Sequence, residues 1–83
     1  MKISKDEYIE KIQQNLDNLS AEVAGELFVL GSGQDFINDN DIFDAIHAYL
    51  GTLEVPVSDS EREESIAEIK KLIENYHTEK EAE

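Results

Sequence analysis

Apolar residues recur every three or four positions in four short segments of this chain, and three of those segments open on a serine. That spacing is the signature of an amphipathic helix, and a serine just before it is a helix N-cap. Ser4 and Glu7 match a capping box, in which a hydroxyl and a carboxylate satisfy free backbone N–H groups. Tyr8, Ile9, Ile12 and Leu16 then mark one apolar face, ending near Leu16 or Asn18. Ser20 opens a second helix through Val23, Ala24, Leu27, Phe28 and Leu30. Gly31 stands where a left-handed C-terminal cap is wanted, so Gly31-Ser32-Gly33 reads as a loop.

The stretch from Gln34 to Asn40 reads as a turn or a short helical piece, with Phe36 and Ile37 touching the core. A third helix starts near Asp39 or Asn40, buries Ile42, Phe43, Ile46, Tyr49 and Leu50, and ends at Gly51. Thr52 to Val57 is extended, because Pro56 disfavours helix at Val55. It has no second strand to pair with, so it is a loop whose Leu53, Val55 and Val57 pack on the helices. Ser58 and Glu61, or Ser60 and Glu63, cap a fourth helix lined by Ile66, Ile69, Leu72, Ile73 and Tyr76. The expectation is an all-α chain: a small four-helix bundle with short loops, one domain over residues 1–77, and a frayed acidic tail over 78–83.

Charge separates the chain into two kinds of segment. Seven Lys and Arg stand against twenty Asp and Glu, a formal charge of −13. The cations are Lys2, Lys5 and Lys11 at the start and Arg62, Lys70, Lys71 and Lys80 at the finish. Between Ile12 and Glu61 there is none, while ten carboxylates up to and including Glu61 have no local partner. Asp35 to Asp44 is densest, with four Asp and two Asn in ten residues. Such a chain is repelled by DNA, RNA and anionic membranes, each of which wants a cationic face. Two readings of the cluster stand: a solvated face, or a docking surface for a basic partner.

Several chemistries fail on spacing. A calcium loop started at Asp35 has Asn40 at its glycine position and Ile46 at its glutamate position. One started at Asp39 has Phe43 where a ligand belongs. His47 and His77 are two isolated imidazoles, with His47 three residues after Asp44. There is no cysteine, so thiolate metal sites, thiol nucleophiles and disulfides are excluded. The serines mostly serve as caps, and the two-glycine turn lacks the basic side chain of a phosphate loop. An acyl carrier protein would share the size and acidity, but Asp59-Ser60 is followed by Glu61 instead of Leu and opens the last helix. The expectation is no enzyme, no metal and no cofactor. No apolar run reaches membrane-spanning length and the start is not a signal peptide, which suggests a cytoplasmic protein.

The run Phe43-Asp44-Ala45-Ile46-His47-Ala48-Tyr49-Leu50 precedes Leu53-Glu54-Val55-Pro56-Val57-Ser58 and a capped helix with Ile66, Ile69 and Leu72. Together with Leu19-Ser20-Ala21-Glu22, this resembles immunity proteins of bacterial polymorphic toxin systems, the Maf-type and contact-dependent-inhibition group. The resemblance implies a protein that binds and silences a cognate toxin, often a nuclease, and implies no catalytic residues. The expected partner is therefore a basic, nucleic-acid-handling protein whose cationic site is occluded. Asp35, Asp39, Asp41, Asp44 and Glu54 are the expected charged contacts. Tyr49 is the aromatic anchor if it is exposed, and otherwise a core residue of the third helix. A phage-encoded acidic decoy against a host nuclease, restriction or CRISPR component uses the same physics. A small helical adaptor or regulatory subunit would use an apolar patch instead.

Overall fold

A computed structural model of the chain describes residues 2–38 and 41–82. Among the described residues all regular structure is helical: α1 (Lys5–Asn15), α2 (Ala21–Ser32), α3 (Asp41–Leu53) and α4 (Asp59–Ala82), with 3-10 turns at Leu16–Asn18 and Asp35–Ile37. Three helices start where the serines place them. The Ser4 hydroxyl accepts from the Glu7 amide at 3.1 Å, Ser20 from Val23 at 3.2 Å and Ser58 from Glu61 at 3.2 Å. Each satisfies an N–H that the helix cannot, worth about 1 kcal/mol. The expected start of the third helix, Asp39 or Asn40, lies outside the described residues.

The core is the sum of the apolar faces. Tyr8, Ile9 and Ile12 of α1, Leu16 and Leu19 beyond it, Ala24 and Leu27 of α2, Phe43, Ile46, Leu50 and Leu53 of α3, and Ile69 and Ile73 of α4 are buried. Each large side chain so enclosed contributes about 1.5–3 kcal/mol. α3 packs against both α2 and α4, and α1 packs on α2. Four rings join the elements: Phe43 meets Phe36 at 4.9 Å and Tyr76 at 5.2 Å, and Tyr8 meets both Phe36 and Phe43 at about 6 Å between centroids.

Four expectations are corrected. Gly31 is not a left-handed cap. α2 continues to Ser32, and Gly33 ends it with φ −87°. Gly31 is buried instead, because a Cβ there would lie 2.4 Å from the Tyr8 hydroxyl oxygen and 2.9 Å from His47 Cδ2. Gly51 does not end α3 either. The helix runs on to Leu53, and a Cβ at Gly51 would lie 2.9 Å from Phe28 Cε2. Both glycines permit close approach of packed elements and leave the chain direction alone.

In the following link, Leu53 is therefore helical and fully buried, and Val57 packs against the core, but Val55 is 55% exposed. Lastly, α4 does not give way at Thr78. It stays helical to Ala82, and Lys80 from this last turn bonds the Asp6 carboxylate, which also accepts from the Tyr76 hydroxyl at 2.7 Å. Those two donors hold the Asp6 carboxyl below the usual carboxylate range.

Two further contacts fix the N-terminal segment. The buried Gln34 accepts from the Ile3 amide at 3.0 Å and donates to the Leu30 carbonyl at 3.1 Å. Lys2 donates to the Gly33 carbonyl at 2.8 Å and pairs with Asp35 at 3.1 Å. Asp35 thus has a cationic partner, brought from 33 residues away, where local sequence gave it none.

Candidate docking face

α2 and α3 are antiparallel neighbours. Gly25 lies against Glu54, Phe28 against Gly51, and Ser32 against His47, so ascending positions on one helix meet descending positions on the other. A compact clasp holds their crossing. The His47 ring stacks on Phe28 at 4.1 Å with 10° between planes. Its Nε2 lies 3.0 Å from the Phe28 carbonyl oxygen and 3.1 Å from Ser32 Oγ, while that hydroxyl donates to the same carbonyl at 3.0 Å. A carbonyl only accepts, so this bond requires the hydrogen on Nε2. That nitrogen then cannot take a proton from Ser32. The pair acts as a tie between helices and not as nucleophile and base. Through Nε2, His47 thus reaches across to α2.

With the clasp and the core on the inner sides, one face of each helix is left outward. On α2, helical periodicity places Glu22, Glu26 and Val29 on that face, and all three are exposed. On α3 the exposed positions Asp41, Asp44, Ala48 and Thr52 follow the same spacing, with the exposed Val55 just beyond. Val29, at 67% exposure, and Val55 are the large apolar side chains most open to solvent among the described residues. α2 and α3 themselves contribute no Lys or Arg to this face, because the sequence between Ile12 and Glu61 has none.

The expected contacts divide accordingly. Asp41 and Asp44 are exposed in the first turn of α3, where the helix dipole favours anions. Glu54 lies just past the other end, about 15 Å from Asp44 along the helix direction, with its carboxylate over Gly25 of α2. Asp35 is turned to Lys2 and the N-terminal segment. Asp39 lies outside the described residues. Tyr49 is half-buried and packed on the core, so it is no open anchor. The sequence reasoning missed Glu22, Glu26, Val29 and Val55 as members of one face. The signal was a valine on an i, i+4, i+7 stripe whose other members are glutamates.

Compared with protein-family models, curated proteins and solved structures, the chain finds no match. What it does must therefore be argued from its own surface. A shallow crevice of about 340 Å³ lies between residues 17–21 and Arg62 and Ile66. Arg62 spends an N–H there on the Leu19 carbonyl at 2.7 Å, tying α4 to the chain just before α2. Among the described residues no three of His, Asp and Glu gather as metal ligands. No helix of those residues is long and apolar enough to cross a membrane.

Proposed function

We propose that this chain is an acidic binding protein that inhibits a basic, nucleic-acid-handling protein by occluding its cationic site, as an immunity protein does for a nuclease toxin. One observation carries the reading: the interval without Lys or Arg folds into a contiguous antiparallel pair, α2 and α3, whose outward carboxylates have no basic neighbour on either helix. Such a surface pulls a cationic groove toward it and speeds encounter. Once docked, its carboxylates stand where nucleic-acid phosphates would stand. The resemblance of residues 43–58 and of Leu19-Ser20-Ala21-Glu22 to toxin immunity proteins supports the same reading.

The test is affinity capture on the immobilised chain from its source cells, washed at low and then moderate salt, followed by a nuclease assay. A basic nuclease that is released by salt and loses activity at one equivalent of the chain supports the proposal. The identity of that nuclease separates a cognate toxin from a host enzyme met by a phage decoy. A neutral partner held regardless of salt would favour an adaptor and overturn inhibition. Replacing Asp39, Asp41 and Asp44 by Asn should slow association with the captured nuclease at least tenfold at low salt and leave the fold intact; an unchanged rate refutes the electrostatic role of that end.

A further inference from the structure

We propose that the docking face is the outward side of α2 and α3, that Val29 and Val55 are its apolar anchors, and that its occupant is a basic amphipathic helix of a partner protein. The inference rests on the cation-seeking reading above and specifies where it acts and what it takes. Val29 and Val55 belong to the stretch of chain that has no Lys or Arg, with Glu22 and Glu26 on the exposed stripe of α2 and Asp41 and Asp44 on that of α3. Exposed valines scattered singly need no explanation. Two exposed valines on this helix pair and the link that follows it, with carboxylates along both helices, bring apolar area and charge to one side, as a protein interface needs.

Complementarity then selects the occupant. A nucleic acid or an anionic membrane is repelled by this face. A second copy of the chain docked by the same face would bring carboxylates onto carboxylates, with no Lys or Arg from α2 or α3 to separate them. A helix with an apolar ridge and Lys or Arg on its flanks meets both needs: its ridge covers the valines and its flanks reach the acids. The face extends for about four helical turns, from Asp41 past Leu53, which suits a helix of similar length. Asp35 is left out of the proposed contact, since it stands off the two helices and pairs with Lys2.

The test uses the full chain, 15N-labelled, titrated with two synthetic peptides of equal Lys content. One carries Leu at i, i+3, i+4 and i+7, and the other carries Ser at those positions. The expected result is at least tenfold tighter binding of the leucine peptide, with amide shifts concentrated on α2 and α3. The double variant Val29→Ser, Val55→Ser should bind that peptide about tenfold more weakly, with an unchanged circular dichroism spectrum because neither side chain is in the core. Equal binding of the two peptides, or shifts centred on α1 and α4, overturns the assignment of the face and leaves the cation-seeking reading standing. Binding of neither peptide overturns both. The peptide pair poses the question on the native chain, so it does not depend on the variant folding.

Discussion

One substitution at two glycines separates close approach from mere helix weakness. Gly25 and Gly31 both lie inside α2, six residues apart. In a helix interior, Gly→Ala gains about 1 kcal/mol from lost unfolded-state freedom. At Gly25 a new Cβ would meet only the Glu54 carboxylate, at 3.2 Å, the far end of an exposed and flexible side chain. Gly25→Ala should therefore stabilise the chain by about 0.5–1 kcal/mol. At Gly31 the new methyl would sit 2.4 Å from the Tyr8 hydroxyl oxygen, 2.9 Å from His47 Cδ2 and 3.0 Å from Tyr8 Cζ. Neither ring can yield freely. Tyr8 is fully enclosed between Phe36 and Phe43, and His47 is stacked on Phe28. Overpacking of this kind costs about 1–3 kcal/mol. Displacing Tyr8 also breaks its 3.2 Å bond to the Leu27 carbonyl, worth about 1 kcal/mol. Set against the propensity gain, Gly31→Ala should destabilise by about 1–3 kcal/mol. Urea unfolding followed by circular dichroism measures both. Adding Tyr8→Phe removes the shortest contact, so the cycle should show a coupling above about 0.5 kcal/mol. If Gly31→Ala matches or exceeds the native stability, the seam at Tyr8 and His47 is not packed as described.

The unbalanced acids should make the fold salt-sensitive: the melting temperature should rise between about 10 mM and 150 mM NaCl, where the screening length shortens from about 30 to 8 Å. A flat or falling melting temperature contradicts self-repulsion. Asp6 has its carboxyl pKa lowered by Lys80 and Tyr76, so its contribution is present above the unfolded carboxyl value near 3.8 and is lost as pH falls through the lower folded value. Asp6→Asn should therefore flatten the acid limb of stability below about pH 4, and parallel acid limbs for native and variant would refute the linkage. Glu54→Gln should raise stability by about 0.3–0.5 kcal/mol and slow encounter with a cationic partner, opposite signs from one change; a loss of stability would mean that the carboxylate serves the fold.

Most of the fold was legible because its determinants are local. A serine cap needs only its own hydroxyl and an amide three residues on, and Ser4, Ser20 and Ser58 all close that contact. The buried faces of α1, α3 and α4 likewise follow from spacing alone. What was illegible depends on partners distant in sequence. A glycine that stops a helix and one that admits a neighbouring ring look alike in a string of letters. Gly31 and Gly51 differ from caps only because Tyr8 and Phe28 arrive against them. The last turn of α4 is polar and reads as fraying, yet Lys80 finds Asp6 across 74 residues. For the face, the exposure of Asp41 and Asp44 could be read from periodicity, while their company with Glu22, Glu26 and Val29, and the seat of Glu54 over Gly25, required the pairing of α2 with α3. The pairing of Asp35 with Lys2 required the N-terminal segment to be held by Gln34.

The position of each carboxylate also tells how far folding alone accounts for it. Glu22 lies in the first turn of α2, and Asp41 and Asp44 in that of α3, where unsatisfied amides favour negative charge. Folding gains from those three whether or not anything docks. Glu26 lies in the middle of α2, where the dipole gives it nothing. Glu54 follows the last residue of α3, beside carbonyls that favour a cation, and that last turn holds no basic residue. Its carboxylate also lies over Gly25, one residue from Glu26 on the same helix, so like charge is brought close where the fold would do better with a lysine. A residue kept neutral or basic at this one position would relieve both strains. An acid there works against the helix and keeps the stretch from Ile12 to Glu61 free of Lys and Arg. Glu26 and Glu54 are thus the acids of this helix pair whose charge the helix dipoles do not favour, and under the proposed function an incoming cation is what would balance them.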